Sequence, residues 1–206
     1  MDHKTSSEFF DGIYAQAAAQ EEAIPWQQAI SRRLVADWFD SHRVNQLAAP
    51  TPKRAIVVAA GLGDDAGALV SHGFEVTAFD FSPTAVDWAR KRHHRKPVDW
   101  QVADLFSLPG EWANSYDLVF EVFTIQSIHP DRQVQASDSI RSLLRPGGSL
   151  VAVALVHDNS ITPSGPPWPL PHSTIEHLTD GLQVAHRYCE PVGDHVDCVL
   201  LELFHP

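Results

Sequence analysis

Along the first fifty residues apolar positions recur every three or four, and after residue 53 the pattern changes to short apolar runs separated by amphipathic stretches. Helical spacing predicts helices over residues 5–20 and 26–40, with Ile30, Leu34, Val35 and Trp38 forming one stripe of the second, and a break at Ala23-Ile24-Pro25-Trp26. The turn signal Ala49-Pro50-Thr51-Pro52 marks the switch. Strands are predicted at 55–60, 74–79, 98–102, 116–122 and 149–156. Helices are predicted between them at 64–72, 83–93 and 130–144, the second opened by Ser82 as N-cap and Pro83 in its first turn, the third closed by Arg145-Pro146-Gly147-Gly148. A Pro-rich loop at 162–171 leads to a short helix at 173–180, and strands at 182–188 and 196–204 follow with seven residues between them, which predicts a hairpin.

Alternating strands and helices call for a mostly parallel sheet covered on both faces, and the terminal hairpin adds an antiparallel pair. With 206 residues, 44% of them hydrophobic, the chain is long enough for one such domain and short for two. The expected organisation is a single domain over 1–206, with residues 1–48 a helical cover and residues 53–206 the α/β core.

Charge narrows the partners. The formal net charge is −11, and the only basic block, Arg90 to Lys96, reads as the solvated end of a helix, so nucleic acid is not an expected partner. No run approaches the roughly 18–20 apolar residues of a membrane span, and the N-terminus lacks the apolar core of a signal peptide, so no membrane partner and a cytoplasmic location are expected. Cys189 and Cys198 fall in apolar strands and read as two buried, reduced thiols. Twelve histidines form no metal-ligand spacing, and no metal is expected.

Candidate chemistry starts at Gly61-Leu62-Gly63-Asp64-Asp65-Ala66, a glycine turn between a strand and a helix, with Asp80 following Gly61 by 19 residues at the end of the next strand. The spacing fits a dinucleotide site. The charge does not, because a pyrophosphate sits on a helix N-terminus and here Asp64 and Asp65 occupy that first turn. A ligand without phosphate and with cationic groups, such as S-adenosylmethionine (SAM), is compatible. A hydride-transfer enzyme of the short-chain type is excluded, since Tyr14, Tyr116 and Tyr188 have no lysine four residues on.

Together the glycine loop, VTAFDFSPTAVDWAR at 76–90, the step Val102 to Leu105, the strand Tyr116 to Glu121 and Leu144-Arg145-Pro146-Gly147-Gly148 resemble the class I SAM-dependent methyltransferases over residues 50–156. Within that family the chain is most similar to small-molecule enzymes of the thiopurine and tellurite-resistance type. One departure is that Ala59 and Ala60 stand where an acidic residue often precedes the loop, which shifts recognition of the methionine ammonium to Asp65 or backbone carbonyls.

The resemblance implies a Rossmann-like, doubly wound seven-stranded sheet in the order 3-2-1-4-5-7-6, the last strand antiparallel. It implies SAM as cofactor, with the loop residues Ala60, Gly61, Gly63 and Asp65, Asp80 for the ribose hydroxyls, Asp104 for the adenine amino group, and Phe81, Ala85 and Leu105 about the ring. Glu121 and Val122, at the carboxyl end of the fourth strand, also fall at the cofactor crevice.

The acceptor is expected to be a small molecule with a sulfur, nitrogen or oxygen nucleophile, sulfur being favoured by the resemblance. Thr124, Gln126 and Ser127 are candidates to line the SAM or the acceptor site, and Trp26 and the Pro-rich-loop residue Trp168 are candidates to close over the acceptor. A general base is needed only if the acceptor arrives protonated, and His129 and His157 are then the candidates. The remaining tryptophans, Trp38, Trp88, Trp100 and Trp112, read as packing between helices and sheet. Two other functions stay open at this stage, an NAD(P)-dependent oxidoreductase and a SAM-binding scaffold without catalysis. A monomer or homodimer is expected.

Overall fold

Buried β-branched residues organise the first strand: in β1 (Arg54–Val58) the side chains of Ala55, Ile56, Val57 and Val58 are all buried, as a strand covered on both faces requires. The computed structural model describes residues 11–17, 29–48 and 53–206, and the chain divides into two compact units after Asp104.

In the first unit β1 pairs in parallel with β2 (Glu75–Asp80), and β2 in parallel with β3 (Val98–Val102), giving the order β3-β2-β1. Residues 11–17 are helical (α1), followed by α2 (Ala29–Asp40) and α3 (His42–Ala48). Of the expected stripe in α2, Leu34, Val35 and Trp38 are buried, and the side chain of Ile30 lies outside the described ones. α3 was not legible in the sequence. Ser41 separates it from α2: its hydroxyl donates to the Trp38 carbonyl and accepts from the Arg43 amide at 3.3 Å, offering the backbone an alternative to helix.

Helix α4 (Asp64–Ser71) follows the glycine turn, and α5 (Pro83–Arg92) starts as predicted, with the Ser82 hydroxyl accepting from the Ala85 amide at 3.1 Å. The break expected at 23–26, including Trp26, lies outside the described residues.

The second unit holds β4 (Tyr116–Val122), α6 (Gln133–Ser142), β5 (Leu144–His157), β6 (Leu170–Pro171), α7 (His172–Thr179), β7 (Gln183–Gly193) and β8 (Val196–Phe204). Its strand order is β4-β5-β8-β7, with β4 and β5 parallel and β8 antiparallel to both neighbours. The two-residue β6, paired with the end of β5 at Val156 and His157, is an addition to the seven expected strands.

Helix α6 ends two residues earlier than predicted and β5 begins five earlier. The incoming chain explains both: the amide of Asn114 takes the Ser142 carbonyl at 2.8 Å, those of Ser115 and Tyr116 take Leu143, and Leu144 then pairs with Tyr116. The hairpin loop is shorter than expected, because β7 runs on to Gly193 and only Asp194 and His195 turn the chain, the latter with φ 69. Cys189 is exposed rather than buried, because β7 ends the strand order and is exposed along nearly all of its length, while Cys198 is fully buried on β8. Among the described residues no helix is long and apolar enough to cross a membrane.

Candidate active site

The glycine turn of the first unit is built from backbone conformations that a side chain would obstruct. Gly61 and Gly63 have φ 53 and 81, and a Cβ on Gly63 would stand 2.3 Å from the Trp100 ring. Ala59 shares the left-handed region at φ 48, an unusual place for alanine and a mark of local strain where the loop leaves β1. The loop closes on itself, with Gly63 N–H donating to the Ala60 carbonyl at 2.9 Å and Ala60 N–H to Phe79 at 2.8 Å.

Asp80 ties this loop to the next helix. Its Oδ2 accepts the Gly61 amide at 2.9 Å and its Oδ1 the Ser82 amide at 2.9 Å. Burial raises its pKa, opposed by these amides, so the carboxylate is desolvated and held by N–H groups. The Phe81 amide also contributes, so three backbone N–H groups face a carboxylate that can accept about four hydrogen bonds, leaving acceptor capacity for a ligand hydroxyl. Phe81 is half-buried beside it, and Ala85 is fully buried in α5. Asp104, also half-buried, closes the unit.

The two aspartates of the α4 first turn play different parts. Asp64 is ion-paired, at 2.7 Å to Arg32 and 3.1 Å to Arg92, with His93 at 3.4 Å. Its charge is compensated, so the repulsion of a diphosphate falls mainly to Asp65. That residue keeps part of its surface open, yet desolvation lifts its pKa to about 6, with Arg32 lowering it and Asp64 raising it. Of these features it is the Asp65 carboxylate that favours a cationic ligand group over a phosphate, while Arg32 and the helix N-terminus act in the opposite sense.

In the second unit the carboxyl end of β4 turns sharply. Phe123 has φ 62, a conformation bulky residues rarely adopt, and it directs the chain back so that the Thr124 amide donates to Glu121 Oε2 at 2.8 Å. Glu121 is wholly buried, and its Oε1 has no hydrogen-bond partner among the described residues. Burial pushes its pKa to about 7 against the hydrogen bonds from Thr124 and Ile125. An orphaned buried carboxyl oxygen on a strained turn is a feature that structure alone does not require. Val122 is half-buried next to it, and Leu105 is buried at the start of the unit.

The predicted acceptor residues of this unit meet one another. Gln126 is buried; its Oε1 accepts the Leu155 amide at 2.6 Å and its carbonyl the Trp168 amide at 2.6 Å. The Trp168 carbonyl in turn receives Gln133 Nε2 at 3.4 Å, and the His129 ring meets the Trp168 ring edge-on at 5.5 Å between centroids. Thr124 is buried, and its carbonyl accepts from the Ser127 hydroxyl at 2.6 Å.

The two candidate bases are both constrained. His157 is buried and its Nδ1 accepts the Asn159 amide at 3.1 Å, so the neutral ring carries its proton on Nε2 and lacks a free basic nitrogen. Desolvation lowers its pKa further. His129 Nδ1 accepts the Asp131 amide at 3.4 Å and caps the turn Pro130–Arg132. Among the described residues no group of three or more His, Cys, Asp or Glu side chains is placed to hold a metal ion.

Sequence reasoning missed Tyr14, which reaches Gly61 from α1, Asp11, which reaches Ser82 and Thr84 at the start of α5, and the arginine partners of Asp64. Their only sequence signals are a helical i, i+3 spacing and isolated basic residues, which carry no distance information.

A family model described as a methyltransferase domain matches residues 56–148. Thiocyanate methyltransferase 1 of Arabidopsis thaliana is 28% identical over 165 residues, covering 77% of this chain and 67% of that protein. Thiopurine S-methyltransferase of Vibrio vulnificus is 29% identical over 92 residues, covering 45% of this chain and 41% of that one. Among solved structures, the N-methyltransferase NodS of Bradyrhizobium japonicum in complex with S-adenosylhomocysteine (SAH) superposes with a TM-score of 0.73 at 18% identity, covering 98% of each chain. That likeness gives the fold: a Rossmann-like α/β arrangement of parallel strands with one antiparallel strand, flanked by helices.

Proposed function

We propose that this chain, a class I SAM-dependent methyltransferase, transfers the methyl group of SAM to the sulfur of a small thiol or thiocyanate-like acceptor. The observation that carries the sulfur assignment is the Asn159 N–H on Nδ1 of His157, which leaves the buried histidine of the second unit without a basic lone pair. Thiolates and thiocyanate are nucleophilic without losing a proton to the enzyme, whereas a phenol or alcohol needs a base. The likeness to thiocyanate and thiopurine S-methyltransferases supports the same reading.

The residues fit the cofactor. Asp80, desolvated and anchored by two amides, is suited to accept the ribose hydroxyls. Asp104 takes the adenine amino group and Phe81, Ala85 and Leu105 pack the ring. The glycine loop with Ala60, Gly61 and Gly63 gives backbone approach, and Asp65 offers its carboxylate to the ammonium. Glu121 and Val122 complete the cofactor side. When bound, SAM supplies an electrophilic methyl carbon with a sulfide leaving group. The chain's part is alignment and exclusion of water, for which the Thr124, Gln126 and Trp168 wall and the stiff Pro-rich loop are suited. Trp26 belongs to the same proposed cover. The family likenesses are to transferases, and the oxidoreductase and scaffold readings are set aside.

We further assign the protein to the cytoplasm as a monomer or homodimer, with no nucleic-acid partner, in line with the net charge of −11.

An acceptor screen tests the proposal. The full chain is incubated with methyl-labelled SAM and, separately, thiocyanate, sulfide, small thiols, amines and phenols, and label in the product is followed. Label transfer confined to sulfur acceptors is the expected result. Transfer to amines or phenols with none to sulfur overturns the sulfur assignment.

A further inference from the structure

The basic block Arg90 to Lys96, at the end of α5, is not wholly solvated. Arg92 turns to Asp64 at 3.1 Å, and His93, which closes the helix, has a side chain only 16% exposed. Its Nε2 stands 3.1 Å from the Leu62 carbonyl in the glycine loop and 3.4 Å from Asp64 Oδ1. Both neighbours are acceptors, so the ring carries a proton on Nε2 and donates it to the loop.

The first unit makes room for this ring. Gly67, inside α4, is a poor helix former, and a Cβ there would stand 3.0 Å from His93 Nδ1. Trp100 on β3 stacks on the imidazole at 6.1 Å between centroids, and the same indole fills the Cβ position of Gly63. Desolvation lowers the His93 pKa, against the pull of Asp64 and with the help of Arg92 and Lys96, so the ring is neutral at neutral pH.

The hydrogen bond acts on one peptide unit. The Leu62 carbonyl and the Gly63 N–H share a plane, and that N–H donates to the Ala60 carbonyl at 2.9 Å. His93 and Ala60 thus hold the two ends of the plane, which cannot rotate without losing both bonds. A residue needed only to end α5 or to charge the surface would require neither a sheltered ring nor a glycine opposite it.

We propose that His93 is a positioning residue for the cofactor: by donating to the Leu62 carbonyl it sets the Leu62–Gly63 peptide, and with it the backbone that the loop presents to SAM. The inference rests on the SAM reading and gives the basic end of α5 a part in binding.

Calorimetric titration of the full chain with SAH, below the melting temperature of each variant, tests it. His93→Phe keeps a ring beside Trp100 and loses the donor, and is expected to bind SAH about 10-fold more weakly, the scale of one hydrogen bond. His93→Gln, which returns an N–H near the place of Nε2, is expected to recover to within about 3-fold of wild type. Gly67→Ala leaves His93 present but crowds its ring, and is expected to weaken SAH about 3-fold. A histidine that only stabilises the fold would lower the melting temperature of His93→Phe and leave the SAH affinity of the folded chain unchanged, and that result overturns the inference. Should His93→Phe not fold, wild-type SAH affinity in Gly67→Ala overturns it instead. A loss in His93→Phe that His93→Gln does not recover removes the hydrogen bond as its cause. Failure of the wild-type chain to bind SAH overturns the SAM reading and this inference together, whereas the other contrary results, obtained with normal wild-type binding, overturn this inference alone.

Discussion

The carboxylate of Asp80 accepts the amide of Gly61 at 2.9 Å, closing a 19-residue span of chain onto the turn that precedes α4. The same carboxylate holds the Ser82 amide, so one side chain sets both the loop and the start of α5. Removing it leaves buried amide donors unpaired and, in the proposed reading, takes away a ligand group. Asp80→Ala is expected to cost about 2–4 kcal/mol in stability and to weaken SAH by at least about 100-fold, measured by denaturant unfolding and calorimetry. An Asp80→Ala variant that binds SAH normally removes Asp80 from the site.

Gly63 also carries a packing constraint. Its φ of 81 and the Trp100 ring 2.3 Å from the Cβ position oppose any side chain. Gly63→Ala is expected to lose about 2–4 kcal/mol, from backbone strain and overpacking combined, with the paired variant Gly63→Ala/Trp100→Leu recovering only the packing part. Equilibrium unfolding of the three chains separates the two contributions.

Glu121 makes stability fall with pH in a defined window. Its folded pKa of about 7 lies above the ordinary value of 4.5, so between these pH values the folded chain binds the proton that the unfolded chain has released. Its contribution is fully present below about 4.5 and is lost as pH rises toward 7, by an amount on the order of 3 kcal/mol. Glu121→Gln, which cannot ionise, is expected to lack this slope and to be more stable than wild type at pH 8. Urea unfolding of both chains at pH 4.5, 6, 7 and 8 checks this, and parallel pH profiles contradict it.

How much of this was legible beforehand depended on the kind of signal. The strand-loop-helix order, the Ser82-Pro83 helix start and the antiparallel hairpin follow from periodicity and turn chemistry, which are local. Asp80 was legible because its distance from the loop is fixed along the chain. The early start of β5 was not, since it depends on Asn114, Ser115 and Tyr116 taking carbonyls at the end of α6. Nor were the pairing of Asp64 with Arg32 and Arg92 and the reach of Tyr14 to Gly61, which are tertiary contacts between residues with no shared pattern. The Asp64 pairing also revises the charge argument against a diphosphate, which now rests chiefly on Asp65.

His157 tests the assignment of sulfur through its tautomer. His157→Asn retains an acceptor for the Asn159 amide and is expected to keep kcat within about 3-fold on a sulfur acceptor. A loss of about 100-fold or more, of the size general-base removal produces, contradicts a base-free reaction.

Trp168 meets His129 edge-on and hangs from Gln126 and Gln133, and in the proposed reading it belongs to the acceptor wall. Trp168→Ala is expected to raise the acceptor KM about 10-fold while SAH affinity stays within about 2-fold, in steady-state kinetics and calorimetry respectively.

Calorimetric titration of the wild-type chain with SAH and, in parallel, with NAD+ tests the central claim, that the Asp80-anchored glycine loop is a SAM site. Binding of SAH in about the micromolar range with no heat from NAD+ is the predicted result. NAD+ binding without SAH binding would contradict it, and would mean that a diphosphate is accepted at the α4 N-terminus despite Asp65.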